Sequence, residues 1–107
     1  MKREVIIRLH ADFEAASQHD EGIEFWRARD LQSLLGYSQW KNFLNVIERA
    51  KIACENAWQD VDDHFADSGK MVDIGSGTQR EIEDIALTRY ACYLVAQNGD
   101  PGKDQVA

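Results

Sequence analysis

Residues 26 to 54 constrain the fold more than any other stretch of the chain. They read Trp-Arg-Ala-Arg-Asp-Leu-Gln-Ser-Leu-Leu-Gly-Tyr-Ser-Gln-Trp-Lys-Asn-Phe-Leu-Asn-Val-Ile-Glu-Arg-Ala-Lys-Ile-Ala-Cys. Ala28, Leu31, Leu34 and Leu35 recur at helical spacing, which predicts a short helix with one apolar face. Gly36 stands where a helix ends in a residue that tolerates positive φ. Ser38 is placed to cap a second helix. In that helix Trp40, Phe43, Leu44, Ile47 and Ala50 form an apolar stripe, with Gln39, Lys41, Asn42, Asn45, Glu48 and Arg49 off it.

This is the outline of a helix-turn-helix with glycine in its turn. As a DNA reader it would present Gln39, Asn42 and Asn45, whose amides pair two-pronged with adenine, and Lys41, which suits guanine or phosphate. Arg27, Arg29 and Arg49 would add phosphate contacts. The competing reading is two helices packed in a corner with nothing bound.

Charge gives a mixed signal. The 107 residues carry a net charge of −7, which opposes general binding to phosphates. The charges are segregated, however. From Glu24 to Lys51 five cations face three acids, and from Ile52 to Ile74 one lysine faces six acids. The positive part coincides with the predicted helix pair. The acidic part supports the alternative of a protein-interaction domain whose acid face meets a basic partner groove.

Around this centre the chain predicts a helix over 4–18, with Ile6, Leu9, Phe13 and Ala16 on one face. A polar turn follows at His19-Asp20-Glu21-Gly22, then a short strand over 23–26. The second long helix runs from about Gln39 to Trp58. Asp62, Asp63 and His64 could ligate a metal, but further ligands are missing nearby, so a solvated turn with Phe65 in the core is the better reading. Residues 70–85 read as a hairpin turning at Gly75-Ser76-Gly77, with Ile74, Ile82 and Ile85 packing. As a basic wing it is thin: Lys70 and Arg80 stand against Asp73, Glu81, Glu83 and Asp84. Thr88 caps a last helix that buries Tyr90, Ala91, Leu94 and Val95 and ends at Gly99. Arg89, a cation at a helix start, is expected either to be held by an acidic partner such as Glu83 or Asp84 or to serve binding. The tail after Gly99 begins a new helical pattern and breaks off, which predicts a longer native chain.

The expected architecture is α+β: a helical domain with a helix-turn-helix-like pair and a small antiparallel hairpin or sheet, as one domain over 1–107. No segment has the length of a membrane span or the core of a signal peptide. Cys54 and Cys92 read as reduced core thiols of a cytoplasmic protein, with a disulfide as the alternative. No catalytic, metal or cofactor motif stands out, so a non-enzymatic role is expected.

Several segments together carry a resemblance. They are Phe-Trp-Arg-Ala-Arg-Asp-Leu (25–31), Leu-Gly-Tyr-Ser (35–38), Phe-Leu-Asn-Val-Ile (43–47), Arg-Ala-Lys-Ile-Ala-Cys (49–54), Asp-His-Phe (63–65), Lys-Met-Val-Asp-Ile-Gly-Ser-Gly (70–77) and Arg-Tyr-Ala-Cys-Tyr-Leu-Val-Ala-Gln-Asn-Gly-Asp-Pro (89–101). From Phe13 on, the chain resembles the bacterial DNA-damage-inducible protein D family. Its amino-terminal part resembles the BRO-N domain of phage and viral antirepressor-type proteins. The resemblance implies a mixed α+β amino-terminal domain, a DNA-binding role in the bacterial damage (SOS) response, and helical sequence beyond residue 107. It supplies no catalytic residues. The expected partners are DNA, single-stranded or duplex, with a repair or recombination protein and a second copy of the chain as alternatives.

Overall fold

A computed structural model describes residues 3–99; the expectations for the tail and for the Ile6 side chain lie outside the described residues. The chain runs α1 (Arg3–Ala15), β1 (Gln18–Asp20), β2 (Ile23–Arg27), α2 (Ala28–Leu34), α3 (Trp40–Asn56), α4 (Val61–His64), β3 (Phe65–Gly75), β4 (Thr78–Leu87) and α5 (Arg89–Gln97). The strands form one antiparallel sheet in the order β1-β2-β4-β3. The mixed class read from sequence holds, with a larger sheet than a hairpin alone. No helix among the described residues is long and apolar enough to cross a membrane.

The core lies between α2, α3, α5 and the base of the sheet. Trp26, Phe43, Ile47, Leu87 and Val95 are fully buried there. Trp26 organises the α1 side: Phe13 stacks on it at 4.4 Å, and the indole N–H donates to the Phe13 carbonyl at 2.7 Å. That bond adds a second donor to a carbonyl in the last turn of α1, which also accepts from the Ala16 N–H at 3.2 Å. Thr88 caps α5 as expected, its hydroxyl accepting from Ala91 N–H at 3.1 Å.

Four local expectations are corrected. First, the polar turn at His19–Gly22 is a hairpin, in which Gln18–Asp20 pairs with Ile23–Phe25 around Glu21-Gly22. Both turn residues have positive φ, the geometry that matches strand twist. All three β1 residues are exposed, so no alternation marked the strand.

Second, Ser38 does not cap α3. The cap position is Gln39, with no side-chain cap bond. Tyr37 sets the phase: it is buried against Phe43 at 5.2 Å, and its N–H donates to the Gln32 carbonyl. The helix therefore starts one residue later than a Ser38 cap requires.

Third, Ile74 is exposed. The β3–β4 ladder runs beyond the core, and no residue from Gly69 to Glu83 is buried.

Fourth, Arg89 pairs with Glu14 and Glu24, not with Glu83 or Asp84. Glu83 and Asp84 face α2 and the start of α3 and are engaged there.

Candidate nucleic-acid interface

The seven residues singled out for DNA contact divide by the elements that hold them. Gln39, Lys41, Asn42 and Asn45 are all exposed on the start of α3. The buried positions Phe43, Val46, Ile47 and Ala50 anchor the opposite face of that helix. Among the described residues, none of the four exposed side chains has a hydrogen-bond partner. Lys41, among the described cations of α3, forms no ion pair, whereas Lys51 pairs with Glu48 at 3.5 Å. An exposed row of uncommitted amides beside a free ammonium has donors and acceptors available for a partner.

The arginines have structural work. The Arg29 guanidinium lies 4.0 Å over the Trp40 ring, and its Nε donates to the Glu83 carbonyl at 2.8 Å. The Trp40 indole N–H donates to the Glu83 carboxylate at 2.9 Å. This cluster fixes the start of α3 to β4 and brings an acid to its edge. Arg49 donates through Nε and Nη2 to the Asn98 carbonyl at 3.3 and 2.9 Å, satisfying the C-terminal end of α5. Arg27 is half-buried, 5.8 Å over the Phe25 ring, and lines a groove with Asp20, Glu21, Glu24 and Asp63. The cations of the sequence pattern therefore do not merge into one basic surface.

The hairpin sorts its charge by face. Lys70 pairs with Ile82 and Val72 with Arg80, so Lys70 and Arg80 share one face. Asp67, Asp73, Glu81 and Glu83 share the other. Gly69 leaves space there for the Glu81 side chain, which a Cβ at that position would strike. Counting along the chain cancelled these charges; register separates them, except Asp84, which lies on the Lys70 face but is buried at its base.

Neither thiol is poised for nucleophilic chemistry. Both cysteines are free and buried. Burial pushes the Cys92 thiol up to about 12. Cys54 is raised by burial first and then by Asp60, Glu55 and Asp63. Thiolate, the reactive form, is disfavoured at both sites. Cys92 lines an apolar groove of about 230 Å³ with Leu9, His10, Phe13 and Tyr93, while His64 lies elsewhere, its ring nitrogen 2.7 Å from the Thr88 hydroxyl. No cluster of three or more His, Cys, Asp or Glu able to hold a metal occurs among the described residues.

Sequence reasoning missed Trp40 and Glu83 as the pin between α3 and β4, and Asp84, which is fully buried. An acid in the inward half of a strand's alternation was the available signal for Asp84.

A family model described as BRO family, N-terminal domain, matches residues 15–107. DNA damage-inducible protein D of Escherichia coli (strain K12) is 55% identical over 86 residues, covering 80% of this chain and 31% of that protein. The chain thus spans about a third of the length of this relative. No solved structure matches the chain.

Proposed function

The chain belongs to the BRO family through its N-terminal domain, and from that premise we propose that it is a non-enzymatic DNA-binding module of the bacterial DNA-damage response. The link to the damage response rests on similarity to the Escherichia coli DNA damage-inducible protein D. The observation that supports the reading is the exposed start of α3, where Gln39, Lys41, Asn42 and Asn45 stand without partners among the described residues. In this reading α2 and α3 act as a helix-turn-helix, with the turn made at Gly36, whose φ is 79°. The Arg29–Trp40–Glu83 cluster holds the reading helix in place. Lys70 and Arg80, on one face of the projecting hairpin, make a second backbone contact in the manner of a wing. Arg27 and Arg49 stand at the margins.

A surface this sparse in free cations makes few phosphate contacts, so affinity is modest and salt dependence shallow. Fluorescence anisotropy with labelled single-stranded and duplex DNA at two salt concentrations tests the reading. Salt-dependent binding that Lys41→Glu abolishes supports it. No binding at tens of micromolar, a range in which non-specific binders ordinarily register, sinks it for this domain.

A further inference from the structure

Helix α3 ends in a way the fold does not require. Gln59 N–H donates to the Cys54 carbonyl at 3.1 Å and Trp58 N–H to the Glu55 carbonyl at 2.9 Å. This is a Schellman turn, whose left-handed position is ordinarily glycine. Here that position is Trp58, at φ 61°, with its side chain 95% exposed. A side chain this large gains nothing for the core when it stands in water, and glycine would hold the same backbone with less strain. An outlier of this kind points to function.

Its surroundings are of one sign. Glu55, Asp60, Asp62 and Asp63 are all exposed, and no lysine or arginine occurs between Ile52 and Gly69. Three of these acids lie close enough to Cys54 to help raise its thiol, after burial. The carbonyl end of α3 adds the same sign, with no basic residue in its last turn. Ile52, six residues before Trp58, adds exposed apolar surface at this end of the helix.

The charge selects the occupant. A nucleic acid would bring phosphates into a negative field. A second copy of the chain would bring a net charge of −7. An ammonium or guanidinium group satisfies both parts of the patch, stacking on the indole while the carboxylates neutralise it. We propose that Trp58 and the acids around it dock a lysine- or arginine-rich segment of a protein partner. This surface is separate from the exposed start of α3 and stands whether or not that helix binds DNA.

The test is titration of the 107-residue chain with a short lysine- and arginine-rich peptide, following the three indole N–H resonances by NMR and affinity by calorimetry. The Trp58 indole resonance shifts and that of buried Trp26 does not. Trp58→Ala, which keeps every acid, weakens binding about fivefold with no loss of melting temperature. Equal affinity for wild type and Trp58→Ala overturns the proposal, because attraction to the acids alone would then account for binding. A short DNA duplex that moves the Trp58 indole while the peptide does not overturns it as well.

Discussion

The Asp84 carboxylate on β4 caps α2 from far along the chain: its Oδ1 accepts from the backbone N–H of Arg29, 55 residues earlier, at 3.1 Å. The residue at the cap position of α2 is Arg27, which has no acceptor to offer, and the helix has no cap bond of its own. The strand supplies by tertiary contact what is ordinarily local. The same oxygen accepts from Ile85 N–H at 2.8 Å, while Oδ2 is buried with no hydrogen bond among the described residues.

Asp84→Ala therefore removes a cap and leaves the part-buried Arg29 N–H without this acceptor. The expected loss of stability is about 2 kcal/mol. Urea unfolding followed by circular dichroism measures it. A change within the usual scatter of surface substitutions would show that α2 does not depend on this carboxylate.

The Arg89 clamp predicts acid sensitivity. Its Nη2 lies 3.0 Å from both Glu14 and Glu24, and its guanidinium sits 4.9 Å over the Trp26 ring. Hydrogen bonds from Arg89, ahead of its charge, hold the Glu14 carboxyl below its ordinary value of 4.5. A carboxyl depressed in the folded state stabilises above its unfolded value and loses that contribution as pH falls through the folded one. The wild-type protein thus loses stability below about pH 4.5, and Glu14→Gln flattens that part of the profile. Urea midpoints at neutral pH and in mild acid check this. The effect is small because both side chains are more than a third exposed.

Lys41 and Arg49 lie on the same helix and should separate cleanly. Lys41→Ala leaves the melting temperature unchanged, weakens DNA binding, and lowers the salt slope by about one. Arg49→Ala lowers the melting temperature, because the Asn98 carbonyl loses two donors. Melting curves beside anisotropy titrations at several salt concentrations give both readouts. The reverse pattern would place the phosphate contact at the middle of α3, around Arg49.

Trp58→Gly should make the protein more stable, by up to about 1 kcal/mol. Glycine adopts a φ of 61° without strain, and a side chain that is 95% exposed gives up no burial. Chemical denaturation measures the gain. A loss would mean that the indole packs in the folded protein.

Both thiols should resist alkylation in the native state. With Cys92 at about 12 and Cys54 also raised, iodoacetamide labelling at mildly alkaline pH proceeds only as fast as the protein opens. In denaturant both react at once. Rapid native labelling of either cysteine would reveal an access route absent from the closed fold.

The sequence determined the elements whose signal is local. Apolar spacing marked α2 and α3, Gly36 marked the chain reversal, Thr88 the α5 cap, and Gly75-Ser76-Gly77 the hairpin turn, because periodicity, capping and positive φ each act within a few residues. It also put Gln39, Lys41, Asn42 and Asn45 on the solvent side of α3. Tertiary structure decided everything that depends on partners distant in sequence. It bonded Arg29 and Arg49 to carbonyls on β4 and at the end of α5, gave Arg89 to Glu14 and Glu24, buried Asp84 as a cap for another element, and set the hairpin's exposed acids on the face opposite Lys70 and Arg80. Pairings of this kind are fixed by packing and strand register across dozens of residues, and linear spacing carries no record of them.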